Sequence, residues 1–184
     1  MTGGVVVRPG VPGDAAGVVA HINEVAREGP NLVIDAAEHD ADGERAFIES
    51  LDPAFYAYLV AEDRQRIVGT CFVSRGTTPR LMHVASLAMA VSASHRRAGL
   101  GSRLLAAALA WAGERGVRKV VLSVLGDNEP ALNLYRKFGF REEGRRQGMF
   151  AIDGRYVDEV LMALEIASGD ARKARSESES LVTV

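Results

Sequence analysis

The chain has 184 residues, 47% hydrophobic and 25% charged, the balance of one globular domain. Its 22 basic and 24 acidic residues leave a formal charge of −2, which argues against a dedicated nucleic-acid binder but allows a local anion site. Cys71 is alone, which excludes an intrachain disulfide and a cysteine-based zinc cluster, and the four histidines lack metal-ligand spacing. The opening MTGGVVVRPG has no basic stretch and a short apolar run, so no signal peptide is expected. No apolar run is long enough at its flanks to cross a bilayer. The expectation is a soluble, cytoplasmic protein that holds no metal and has neither a membrane nor nucleic acid as partner.

Val5–Val7, closed by Arg8-Pro9, suits a first strand. Asp14 is the expected N-cap of a helix whose inward stripe is Val18, Val19, Ile22, Val25 and Ala26, ended by Gly29-Pro30. A second short helix is predicted over Glu44–Leu51, with Ala46, Phe47 and Leu51 inward. Tyr56–Glu62 and Ile67–Ser74 read as a β-hairpin around the polar turn at 63–66. Leu81–Val91 is small or apolar almost throughout, which predicts a strand buried in the sheet's centre. A long helix follows, striped by Leu100, Leu104, Leu105, Ala108, Leu109 and Trp111 and stopped at Gly116. Lys119–Leu125 is another buried strand, and Ala131–Phe138 a helix stopped at Gly139. Phe140 onward is a strand that turns at Asp153-Gly154 into Tyr156–Ile166. From Ala167 the chain is charged and serine-rich, so residues 167–184 are expected to be a disordered tail behind one α/β domain of residues 1–166.

The chemistry concentrates in Arg96-Arg97-Ala98-Gly99-Leu100-Gly101-Ser102, between a buried strand and a long helix. Glycines let backbone approach a ligand closely, and the helix start presents free N–H groups with partial positive charge, which suits a pyrophosphate. The plainer alternative is a glycine-rich turn that caps a helix. A P-loop would need a lysine after the second glycine, and a dinucleotide fingerprint a third glycine where Leu104 stands.

The segment fits [RQ]xxGxG, and with it the chain resembles the GCN5-related N-acetyltransferase (GNAT) superfamily. Asn128 through Phe140, NEPALNLYRKFGF, is similar to a second segment of that family. The resemblance covers about 5–166 and is nearest to free-amino-acid and phosphinothricin-type N-acetyltransferases, through His83-Val84-Ala85, Glu143-Gly144 and Asp153–Asp158. It implies a mixed, mostly antiparallel α/β sheet flanked by helices and splayed between the fourth and fifth strands. It also implies acetyl-CoA as co-substrate, its pantetheine paired with the backbone of Met89, Ala90 and Val91 and its pyrophosphate cradled by Arg96 through Ser102.

By the same resemblance Asn128 binds the pantetheine arm, although its plain role is a helix N-cap, and Tyr135 is the general acid for the leaving thiolate. The glutamate that serves as base in ribosomal-protein-type relatives is replaced by Ser123. Glu28, Asp35, His83 and a water chain stand as alternative bases, and His83 on a buried strand could equally be a core histidine. The implied reaction is acetyl transfer to a primary amine of a small molecule, an amino acid or an analogue. A peptide N-terminus is the alternative acceptor, and a non-catalytic acyl-CoA sensor the alternative class. Sheet edges and the C-terminal hairpin often pair in the family, so a homodimer is the expected assembly.

Overall fold

The computed structural model describes residues 4–29 and 40–166. The expected tail at 167–184 lies outside the described residues, as do Pro30 and Asp35.

The elements follow the predicted order. Strand β1 (Val6–Pro9) leads through a 3₁₀ turn at Pro12–Asp14 into α1 (Ala15–Arg27). Asp14 does not cap α1 with its side chain, contrary to expectation. Its carboxylate instead accepts from the Val11 N–H at 2.8 Å and from both terminal nitrogens of Arg8 at 2.7 Å. The donor it meets is the Val11 N–H at the head of the Pro12-Gly13 turn, and the Arg8 guanidinium holds it there.

Helix α2 spans Ala41–Ser50, three residues earlier than predicted, because Asp40 accepts from Gly43 N at 2.7 Å and starts the helix there. Its inward face also differs: Glu44 and Ile48 are buried, while Ala46 and Phe47 are exposed. Glu44 hydrogen-bonds Tyr58, so a polar residue can face inward. Phe47 lies at the rim, its ring 5.5 Å from Phe72.

Strands β2 (Tyr56–Asp63) and β3 (Arg66–Arg75) form the predicted hairpin, with Arg64 and Gln65 at φ 48° and 67°. Positive φ at both central residues matches the right-handed strand twist. Strand β4 is Val84–Val91, then comes α3 (Leu100–Glu114), β5 (Lys119–Leu125), α4 (Glu129–Lys137), β6 (Arg141–Ile152) and β7 (Arg155–Glu165). In α3 the predicted stripe is buried except for Trp111, which is half-buried beneath the Arg115 guanidinium at 4.4 Å.

The seven strands lie in the order β1-β2-β3-β4-β5-β7-β6, antiparallel except where β4 meets β5. Side chains alternate across the sheet, so each strand feeds two layers. Leu59, Ala61, Val68 and Cys71 meet Leu104 and Leu105 of α3 and Leu132 and Tyr135 of α4 in the main core. Val60 and Ile67 point the other way and pack on Val18 of α1.

One irregularity positions everything that follows. Strands β4 and β5 pair in parallel only at Val84↔Lys119, Ala85↔Val120 and Ser86↔Val121. Both continue past that point, to Val91 and Leu125, without pairing. The sheet is therefore split from Ser86 upward, and the facing edges keep backbone groups with no ladder partner. The prediction that β4 is buried throughout does not hold: Ala85 and Leu87 are buried under α3 and α4, while Ser86 and Ala88 are exposed on the opposite face. Among the described residues no helix covers Ser86 and Ala88, so small side chains suffice.

Candidate active site

A cleft of about 440 Å³ opens at the split. Met89, Ala90 and Val91 form one wall, Arg96, Arg97, Gly99, Gly101 and Ser102 the end, and Asn128 and Tyr135 the other wall. These are the residues singled out in the sequence for cofactor binding, with two exceptions. Leu100 is 3% exposed and belongs to the core, and Ala98 is exposed but does not line the cleft. Helix periodicity explains Leu100, which begins the apolar stripe of α3. Sequence reasoning missed Val25, Pro130, Ala131 and Leu134 as lining residues. Val25 was read as core stripe, and the other three flank Tyr135 in a motif read for its polar members.

The turn between β4 and α3 is bent by two left-handed residues, Arg97 at φ 61° and Gly99 at φ 79°. For arginine that conformation is strained, and such strain concentrates at ligand sites. Gly99 is the cap of α3 and offers no side-chain acceptor, so the first N–H groups of the helix are left for a bound anion. Gly101 lets α3 and α4 approach closely: a Cβ there would lie 3.1 Å from Leu134 Cδ2, which would have to give by a few tenths of an ångström.

Side chains from elsewhere pin this turn. Glu28, at the end of α1, accepts from the Ala93 N–H at 3.0 Å and pairs with Arg96 Nη2. Arg96 Nε donates to the Val91 carbonyl at 2.9 Å. His95 Nε2 meets Asp63 of the hairpin turn at 3.2 Å, and His21 Nδ1 lies 3.0 Å from Ser92 Oγ. Arg96 is thus largely committed to the protein, whereas Arg97 makes no side-chain hydrogen bond or ion pair with the described residues. Glu28 is equally committed, with both carboxylate oxygens engaged.

His21 is 1% exposed, and burial holds its imidazole below the usual 6.5, favouring the neutral ring. The unfolded chain then binds this proton more readily than the folded one. The contribution to stability is complete above about pH 6.5 and declines as pH falls below it. The urea midpoint should fall between about pH 7.5 and about pH 5.5, and fall less in His21→Gln.

Tyr135 is 6% exposed, tilted at 57° against Phe140 with 5.6 Å between ring centres, and shares the core with buried Cys71. Burial raises the phenol above the usual tyrosine range, and raises the Cys71 thiol to about 12. Tyr135 is therefore protonated at neutral pH, and it lines the cleft. Asn128 both lines the cleft and caps α4, accepting from Ala131 N at 3.2 Å.

His83 is not on the buried strand where it was expected. It precedes β4 in a turn closed by Val84 N to the Leu81 carbonyl at 2.8 Å, and its side chain is exposed. The length of β4 separates it from the turn at Arg96, so it does not join Tyr135 at the cleft. Ser123 is exposed on the open face of β5. Asp35 lies outside the described residues.

Residues 22–140 match the family model for the Acetyltransferase (GNAT) family. The L-amino acid N-acetyltransferase AaaT of Escherichia coli is 31% identical over 98 residues, covering 53% of this chain and 60% of that protein. The chain spans between half and two thirds of the length of the curated relatives AaaT and YwnH, the latter from Bacillus subtilis. A GNAT-family acetyltransferase of Streptococcus pneumoniae superposes with a TM-score of 0.82 at 28% identity, over 89% of this chain and all of that one. The phosphinothricin acetyltransferase of Sinorhizobium meliloti, solved with acetyl-CoA, has the same fold at 20% identity, with a TM-score of 0.79 over 93% of this chain and 92% of that one.

Proposed function

The chain belongs to the GNAT acetyltransferase family, and from that premise we propose that it transfers the acetyl group of acetyl-CoA to the primary amine of a small molecule, an amino acid or amino-acid analogue. The observation that carries this reading is the convergence at one cleft of three unlike features: the free edge of β4, the anion-binding turn, and a buried, protonated Tyr135. Each matches a different part of acetyl-CoA. The edge of β4 that β5 leaves open along Met89, Ala90 and Val91 can add the amides of pantetheine as a further strand, next to the Val91 carbonyl that Arg96 already holds. The N–H groups from Gly99 through Ser102, with Arg97, suit the pyrophosphate. Arg96 holds the turn in shape with Glu28 rather than meeting the phosphate alone. Asn128 closes the wall beside the reactive end.

Acetyl-CoA supplies an activated thioester, and the protein supplies position and protons. The cleft holds the acyl carbon where an amine can attack it, converting an encounter into a positioned reaction. As the new C–N bond forms and the C–S bond breaks, Tyr135 donates its phenolic proton to the departing sulfur. The attacking nitrogen gives up its own proton to water. Glu28 is assigned here to holding the cofactor turn, because its oxygens are already engaged. Similarity to AaaT, an L-amino acid N-acetyltransferase, and to YwnH, a putative phosphinothricin acetyltransferase, supports the amino-acid subclass.

The test is thiol release over a panel of primary amines, with each product read for the mass of one added acetyl group. Release with amino acids or their analogues supports the reading. Tight CoA binding without turnover on any amine would reassign the chain to acyl-CoA binding alone.

A further inference from the structure

The acetyl-transfer reading leaves open what holds the acceptor, and the open face of the sheet carries a candidate. We propose that Arg146, held in place by Glu159, binds the α-carboxylate of an amino-acid acceptor; this inference rests on the acetyl-transfer reading above.

The cleft passes through the split, from Leu134 and Tyr135 on the α3–α4 face to Val25 of α1 on the other. With Tyr135 on the first face, the amine has the opposite face for its approach. That face is floored by small exposed residues, Ser86 and Ala88 on β4 and Ser123 on β5. Such a floor leaves room for a substrate but supplies no charge to hold one.

The charge stands at its margin. Ser123 pairs with Leu161 of β7, and two residues along Glu159 pairs with Leu125, the last residue of β5. Leu125 leads directly to Asn128, so Glu159 lies at the same end of the sheet as the cleft. Val160 and Met162 point into the core, so Glu159 and Leu161 share the open face. Arg146 is the direct cross-strand partner of Glu159 on β6 and shares that face.

The pair is asymmetric. The Glu159 side chain is 9% exposed and that of Arg146 56%, with Nη1 to Oε2 at 2.7 Å. A carboxylate removed from water with its partner is weak evidence for stability, because desolvation offsets the attraction. Its effect is to fix the guanidinium. One nitrogen of Arg146 is engaged, and its remaining N–H donors have no partner among the described residues. A planar fork held by one corner and open to solvent is shaped for a second carboxylate. Lys119, the cation that β5 itself contributes to this face, lies at the far end of that strand and is paired with Glu143 at 2.7 Å. A free α-amino acid has the carboxylate this site requires, whereas a simple amine and an internal-peptide linkage lack it.

The experiment compares an α-amino acid with the amine left when its carboxyl group is removed, in wild type, Arg146→Ala, Arg146→Lys and Glu159→Gln. The expected result is a wild-type preference for the acid, measured as a kcat/KM ratio, that falls about 30-fold in Arg146→Ala through the KM of the acid. Arg146→Lys should recover part of the preference, and Glu159→Gln should fall between wild type and Arg146→Ala. An unchanged ratio in Arg146→Ala, or acid and amine losing activity together, overturns the proposal. A wild type that acetylates amines but no amino acid overturns it too, while leaving acetyl transfer standing. If wild type binds CoA and acetylates nothing, the acetyl-transfer reading fails by itself. Calorimetric binding of the amino acid to CoA-loaded wild type and Arg146→Ala then decides the site: equal affinity, or none in either, overturns it.

Discussion

Tyr135→Phe should lower kcat about 100-fold while leaving acetyl-CoA affinity within about twofold. The substitution keeps the ring, its contact with Phe140 and its burial beside the cleft, and removes only the hydroxyl. A group that donates a proton only as the thiolate departs acts on the chemical step, so KM for the acyl donor should barely move. Because burial raises this phenol above its ordinary value of 10, its deprotonation should produce no alkaline fall in wild-type rate below about pH 10. Steady-state kinetics with calorimetry on the variant checks both halves. A kcat equal to wild type would remove the acid role, and a large loss of affinity would make Tyr135 a binding residue instead.

Gly99→Asp should abolish CoA binding without unfolding the protein. A Cβ at Gly99 meets nothing within 4 Å, so no core contact opposes the side chain. The cost is conformational, about 1 kcal/mol for a non-glycine residue at φ 79°, which corresponds to a loss of about 2–4 °C in Tm. The carboxylate, however, sits where the N–H groups of α3 would receive the pyrophosphate, and it can cap them itself. Gly99→Asn separates shape from charge: it tolerates the same φ, carries no charge, and should retain measurable binding. Equal affinity for CoA in wild type and Gly99→Asp would place the anion elsewhere.

Local periodicity carries most of the fold. Strand β5 has the predicted ends, Lys119 and Leu125, and α3 buries the predicted leucines, because these elements answer to one covered face each. Helix α2 misled for a physical reason. Its inward face depends on Glu44 finding Tyr58, and an apolar-stripe argument sends a glutamate outward and Phe47 inward. Asp14 is similar: its position suits a cap, but its carboxylate is claimed by Arg8, a partner fixed by the path of β1. The cleft residues were legible because glycines, arginines and a tyrosine stand in a short segment with fixed spacing. The engagement of Glu28 and the burial of Glu159 were not legible, since each is set by a residue on a different element.

The split between β4 and β5 has a further consequence for how this protein can change over time. Whatever pairs with the free edge of β4 is read through main-chain groups, which every amino acid possesses alike. On the proposed reading, Met89, Ala90 and Val91 could therefore vary among residues of suitable size without altering the site for the acyl donor. Among the described residues, the opposite face presents the exposed side chains of Ser86, Ala88, Ser123 and Arg146. A single replacement there alters who is admitted. On the proposed reading, the donor half of the site would therefore tolerate substitution, and the acceptor half would be the one that substitution retunes.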